Sequence, residues 1–420
     1  MKYYKNIIKC RICDSESLVE VLKIDEQYLS STFVSSNENN VLSKVKVPQT
    51  LVLCQSCTLL QLRETVNPDL LYKEYFYRTS INDTMKKDLK KVVTTSIDLV
   101  DLENDDIVID IGANDCTMIS YFPQNLKRVA VEPAENIDWN HVDSSIEIIN
   151  DYFSKSSVIE TLGNKKAKII TACAMFYDLD RPNDFVSDIK EVLHFDGIWC
   201  IQLSYLPLML KNMNFYDICN EHLEYYSLQT LQNLMQRNGL SIFHAEKNEV
   251  NGGSIKVFVA HIEKNMKSTL ELNVLLKEEK VLNLHKVETY LDFGKKMEEL
   301  KSKVTNYMKG EIEKNNLVLG LGASTKGNML LQFFDINKSS LPYISERNPK
   351  KVGLKTMGTD IELISEEQAR SLNPSCMLVL PWYFKNEIID REQKYIQNGG
   401  TLLFPMPYVH IVHKGGETVL

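Results

Sequence analysis

Four cysteines share one spacing, Cys10-x-x-Cys13 and Cys54-x-x-Cys57. A two-residue spacer lets both thiolates of a pair point at one ion from a tight turn, and two pairs complete a tetrahedral shell with no open position. Such a shell is structural. Thiolates in this number select zinc or an iron-sulfur centre, and a single ribbon of this form usually holds zinc. The remaining cysteines of the nine are scattered, which favours a metal site over a disulfide framework.

A second constellation is VIDIGANDCTM, positions 108 to 118. An apolar strand ends in Asp110 and Gly112 and is expected to run into a helix, with Gly112 allowing backbone to approach a ligand closely. The strand RVAVEP ends in Glu132, about 20 residues on, where a carboxylate can accept hydrogen bonds from ribose hydroxyls. Without Gly-x-Gly-x-x-Gly there is no call for a pyrophosphate, and S-adenosylmethionine is a cofactor with ribose and no phosphate. A third is FYDICNEHLEYYSL, positions 215 to 228, which crowds Glu221, His222, Tyr225 and Tyr226 together. An imidazole beside a carboxylate is the usual make-up of a general base, the carboxylate fixing the ring and holding its pKa near neutrality. On its own the pairing is equally that of a satisfied surface or core histidine.

These groups need a scaffold. At 420 residues, two or three domains are expected, and 44% hydrophobic with 25% charged residues is a globular composition. Residues 1–85 read as short strands and turns around the cysteine pairs, with SSTFVSSNENN as a polar loop. Residues 86–262 open on a helix, MKKDLKKVVTTSIDLVDL, and alternate strands (DIVIDIG, KRVAVEP, AKIITACAMF, GIWCIQLSYL) with polar helical stretches, the pattern of a doubly wound parallel sheet. Residues 263–420 begin with a charged helical arm and continue as a second, smaller α/β unit from NLVLGLGASTKGNMLL onward. A net charge of -8 argues against a nucleic-acid or membrane-surface partner. The chain has no apolar run near the length of a membrane span and no signal-peptide pattern, so a cytoplasmic protein is expected.

Taken in order, the cysteine pairs followed by LLQL, YFYRTSIND, VIDIGANDCTM, NEHLEYYSL, NGGSIKVFVA, GLGASTKGNMLL and VLPWYF resemble the zinc-containing C-methyltransferases that act on nucleotide-linked keto-sugars. The resemblance covers nearly the whole chain. It implies a zinc ribbon, a central class I S-adenosylmethionine-dependent methyltransferase domain and a C-terminal Rossmann-like domain. It also implies a reaction in which a keto-deoxysugar loses a proton beside its carbonyl and the enolate attacks the methyl group. On that resemblance His222 is the base, Glu221 its orienting partner, and Tyr77 sits near the reacting carbon. Tyr77, Arg78, Thr79, Gly112, Asn114, Glu132 and Pro133 would hold the cofactor. Gly322, Ser324, Lys326, Asn328 and Glu346 would meet the nucleotide or sugar, with Trp382 lining the same cleft. The zinc ligands are Cys10, Cys13, Cys54 and Cys57. The chain departs from the family pattern at Cys219 and Asn220, where Tyr-His is usual, and at Cys116, where a second glycine is usual; near CAMFYD, Tyr177 and Asp178 are the polar groups on offer. Methyl transfer to oxygen or nitrogen, a nicotinamide enzyme and a non-catalytic zinc module are the competing readings. A monomer or homodimer is expected.

Overall fold

The run Ile107–Ile111 is buried at every position, as are nearly all residues of Lys127–Val131 and Ala167–Cys173. Strands apolar on both faces demand cover on both sides, and they form the middle of a parallel sheet. The computed structural model describes residues 3–29, 33–35, 45–75 and 77–420. Its central sheet has seven strands, in the spatial order 240–248, 254–261, 193–204, 167–173, 107–111, 127–131, 146–149. Five are parallel, and Ser254–His261 runs antiparallel between Leu193–Ser204 and Leu240–Asn248. Strand order reverses between Ile107–Ile111 and Ala167–Cys173, so a crevice opens beyond their carboxyl ends.

A second sheet has nine strands, with a parallel centre of 401–404, 376–379, 318–321, 343–346 and 362–365. It reverses between Val318–Leu321 and Cys376–Val379. The expected arm is two helices, Leu270–Lys280 and Val287–Glu313. The long one buries Tyr290, Phe293, Met297, Leu300, Val304 and Met308, a stripe at three- and four-residue steps. That stripe enters an apolar cluster with Val21 and Leu53, Phe215 and Ile218, and Leu330 and Ile344, which joins all three parts of the chain.

Three local expectations need correcting. The N-terminal strands are not all short, since Leu18–Tyr28 and Lys46–Cys54 pair as a long antiparallel ribbon. The stretch read as a polar loop contains a strand, Phe33–Ser35, which pairs with Leu354–Thr356 at the edge of the C-terminal sheet and buries Phe33; the rest of the stretch lies outside the described residues. After Gly112 there is no full helix, only the single turn Ile119–Tyr121. Pro123 accounts for the stop, because it drives Phe122 to an extended backbone (φ -70°, ψ 145°).

Candidate active site

A cavity of about 1160 Å³ lies at the carboxyl ends of both parallel sheets and is lined from each of them. The wall on the side of the seven-stranded sheet holds Gly112, Asn114, Glu132 and Pro133, with Met118 and Met175 beside them. Gly112 has φ 71°, and a Cβ there would lie 3.1 Å from Met175 Cγ, so a side chain would be strained and would have to displace Met175. Asn114 (φ 50°) and Cys116 (φ 61°) share the left-handed region, and Cys116 thus keeps the backbone shape a second glycine would give. Glu132 accepts from the Asn114 backbone N–H at 2.7 Å and the Ala134 N–H at 2.9 Å. Burial pushes its pKa up, and those two bonds oppose the shift. Asp110 is pushed up to about 8 by burial, despite the Thr171 hydroxyl at 2.8 Å. Thr79 N–H donates to Asn114 Oδ1, and Asn114 Nδ2 returns a bond to the Tyr77 carbonyl. The Arg78 guanidinium is spent on the carbonyls of Tyr75, Tyr77 and Asn136. Tyr77 is 41% exposed, so it edges the cavity rather than forming its floor.

The C-terminal sheet repeats this design. Gly112 N–H donates to the Val131 carbonyl and Gly322 N–H to the Ser345 carbonyl, each the residue before a strand-end glutamate. Glu346 accepts from the Ala323 N–H at 3.0 Å and the Asn348 N–H at 2.7 Å, as Glu132 does from its own neighbours. Gly322 has φ 81°. Gly322, Ser324, Lys326 and Glu346 all line the cavity. Asn328 and Trp382 are not among its lining residues: Asn328 is buried within the helix Thr325–Phe333, and the Trp382 ring packs near Tyr216, leaving Tyr383 and Phe384 on the cavity wall.

Between the two cradles lie Tyr72, Tyr75, Tyr177, Asp178, Cys219, Glu221 and His222. The His222 ring sits 4.2 Å from the Tyr177 ring, centroid to centroid. Its pKa is not held near neutrality by Glu221, as the sequence suggests. Burial and, after it, the Lys326 ammonium push it down to about 3, against the opposing hydrogen bond from the ring to the Asp217 main-chain carbonyl. The imidazole is therefore neutral throughout the physiological range. Burial and the nearby Glu221 charge push Asp178 well above the carboxylate range, with Tyr72 opposing. Sequence reading missed Tyr72, Tyr75 and Asp217. The clustering LYKEYFY was a signal for the two tyrosines, whereas nothing in the sequence pairs Asp217 with Lys326.

The four cysteine sulfurs lie within 4.8 Å of one another, with Cys10 to Cys57 and Cys13 to Cys54 at 3.5 Å. Zinc-sulfur bonds of about 2.3 Å put the sulfurs of a tetrahedron roughly 3.8 Å apart, so the set fits the ion. The residue after each pair, Asp14 and Thr58, takes a positive φ and turns its N–H back to the first cysteine's carbonyl.

Three family profiles match the chain in sequence: a zinc binding domain over residues 10–72, a methyltransferase domain over 82–245 and a C-methyltransferase C-terminal domain over 249–407. The C-methyltransferase NovU of Streptomyces niveus is 27% identical over 409 residues, spanning 97% of both chains. The chain thus carries, in order, a zinc binding domain, a methyltransferase domain and a C-methyltransferase C-terminal domain. Among solved structures, the plantazolicin methyltransferase BamL with S-adenosylhomocysteine is 11% identical and covers 43% of this chain and 86% of its own, at a TM-score of 0.35. An S-adenosylmethionine-dependent methyltransferase from Clostridium acetobutylicum is 11% identical and covers 42% and 92%, at 0.32.

This C-methyltransferase uses S-adenosylmethionine and binds zinc. On the sequence reading the adenosyl ribose lies against Gly112 and Glu132, which share one wall of the cavity. Because Glu132 also holds the turn at Asn114, its loss should cost more than one ligand bond. Leaving a buried polar group unpaired costs on the order of 1 to 3 kcal/mol, so Glu132→Ala should weaken S-adenosylhomocysteine binding roughly ten-fold or more. Titration calorimetry checks this, and an unchanged affinity would reject the assignment.

Proposed function

We propose that the enzyme methylates a carbon of a nucleotide-linked keto-deoxysugar after His222 removes the proton beside the carbonyl. One observation carries the reading: a single cavity joins the Gly112–Glu132 cradle, the half-buried His222 cluster and the Gly322–Glu346 cradle. A methyltransferase needs one nucleoside cradle, and a second is accounted for if the acceptor carries a nucleoside of its own. At about 1160 Å³ the cavity exceeds the range usual for one drug-sized ligand. Gly322, Ser324 and Glu346 would then receive the acceptor's nucleotide, and Tyr77, Arg78, Thr79, Asn114 and Pro133 would wall the cofactor.

The bound cofactor supplies an electrophilic sulfonium methyl. A neutral imidazole can accept the acidic proton, and the acceptor's carbonyl oxygen takes up the negative charge. Asp178, kept protonated by its surroundings, and the hydroxyls of Tyr75 and Tyr177 are the donors at hand for that oxygen, the Tyr72 hydroxyl already donating to the Glu221 carbonyl. A nucleotide-linked acceptor and reduced cysteines argue for work in the cytosol, in surface-polysaccharide or natural-product sugar synthesis.

The test is incubation with S-adenosylmethionine and a panel of nucleotide-linked keto-sugars, read by mass and then by NMR. A gain of one methyl, bonded to carbon, is expected. Methyl on oxygen or nitrogen would keep the cofactor and overturn the enolate; methylation of free sugars alone would overturn the nucleotide.

A further inference from the structure

Lys326 belongs to the C-terminal part of the chain, in the first turn of the helix Thr325–Phe333. Its ammonium nevertheless ends on the methyltransferase side, 2.6 Å from Asp217 Oδ1, with the two side chains 17% and 2% exposed. The rings of Tyr216 and Tyr383 lie 5.0 and 5.8 Å from Nζ, close enough for cation-π attraction, and the Asn251 carbonyl accepts from it at 3.4 Å. With three kinds of partner in place, this cation is fixed by protein rather than held out for a ligand.

Asp217 connects that clamp to the catalytic cluster. Its main-chain carbonyl accepts from the Tyr225 hydroxyl at 3.2 Å and also faces the His222 ring as a hydrogen-bond acceptor. The His222 backbone N–H closes the same loop onto the Cys219 carbonyl at 3.1 Å. We infer that Lys326 is a positioning residue for His222: by clamping Asp217 it fixes the carbonyl that takes one ring N–H, leaving the other ring nitrogen with its lone pair. The clamp spans two parts of the chain, so the base is set only when the C-terminal part is docked. This inference rests on His222 being the proton acceptor proposed above.

The charged and titratable groups around the ring come from several elements. They are Lys326 from the C-terminal helix, Asp217, Cys219 and Glu221 from its own loop, and Tyr177 and Asp178 from the turn after Ala167–Cys173. Lys326 is the cation among them. Removing it should let the ring take a proton more readily, and should free the Asp217 carbonyl to move.

The decisive measurement is an NMR titration of ring-labelled histidines in the full, zinc-loaded protein, with the His222 signal assigned by its loss in His222→Asn. The wild-type ring should stay neutral and in one tautomer across the neutral range. Lys326→Met combined with Asp217→Asn avoids a lone buried charge. In that variant the ring should titrate at a higher pH than in the wild type, with burial still holding it below its ordinary value of about 6.5, and should lose its single tautomer. Lys326→Arg, which keeps the cation, should restore the wild-type titration. Proton exchange on a keto-sugar should fall at least about ten-fold in the double variant, with S-adenosylhomocysteine affinity unchanged.

If the double variant loses that affinity through misfolding, Lys326→Gln supplies the reading, since it keeps a donor and removes the charge. An unchanged ring titration and tautomer in a variant that still binds S-adenosylhomocysteine would overturn the inference. A wild type that exchanges no proton on any keto-sugar would instead overturn His222 as base. The NMR arm reads the clamp in either case, so the two failures are distinguishable.

Discussion

His222→Asn should lower kcat by about a hundred- to ten-thousand-fold while leaving the affinity for S-adenosylhomocysteine intact. The reason is chemical. A sugar carbon cannot attack a sulfonium methyl until a proton has left it, and Asn cannot accept that proton. Solvent deuterium separates this role from a structural one. With a keto-sugar and no methyl donor, the wild type should wash deuterium into the position beside the carbonyl, and His222→Asn should not. The pH dependence has a definite sign: the ring is pushed down to about 3, so in the free enzyme it is already neutral well below pH 6. The profile of kcat/KM should therefore lack an acid limb near 6.5 from this histidine, and neutralising Lys326 should raise its protonation only part of the way, because burial is the larger cause. Wash-in that survives the substitution would move the base to Asp178 or Tyr177, which share the cavity wall.

Much of this site was legible in the sequence because its parts are short and local. The cysteine pairs need only a tight turn each, and Asp14 and Thr58 supply it with positive φ. Gly112 and Glu132 end adjacent strands, so a strand-loop-strand reading brings them together without long-range knowledge. What stayed hidden depends on contacts distant in sequence. The expectation for Glu221 and His222 rested on their adjacency in the chain, which does not fix what surrounds the ring. The groups that act on the ring are Lys326, far along the chain, and the Asp217 carbonyl, which has no side-chain signature. Trp382 illustrates the same limit. Aromatic neighbours Trp382, Tyr383 and Phe384 share one turn, and only packing decides that the last two reach the cavity. The strand at Phe33 was hidden because its partner, Leu354–Thr356, lies in the C-terminal sheet.

Cys57→Ser or Cys10→Ser should produce a misfolded protein rather than a folded enzyme with slow turnover. The four sulfurs form a closed shell with no place for a substrate, so zinc can act here only through the fold. Structural zinc contributes roughly 10 to 16 kcal/mol in small zinc-finger peptides, as much as the whole stability of an ordinary domain. The knuckle is also wired into the methyltransferase core. Cys10, Ile12, Cys54 and Leu59 belong to the apolar cluster that contains Ile109, Ile170 and Trp199. Asn183 Nδ2 donates to the Arg11 and Ile12 carbonyls at 3.1 and 2.9 Å, and buried Arg11 bonds the Leu62 carbonyl and Thr65 Oγ1. Loosening one cysteine therefore exposes part of the sheet that carries Gly112 and Glu132. Purified wild-type protein should contain one zinc per chain by elemental analysis. A strong chelator should lower its thermal midpoint by on the order of 20 °C or more, with S-adenosylhomocysteine binding lost in the same transition. Iron in place of zinc would change the metal assignment. A Cys57→Ser protein that melts like the wild type, binds S-adenosylhomocysteine and has lost only turnover would show that the ion reaches the chemistry, against the closed geometry of its ligands.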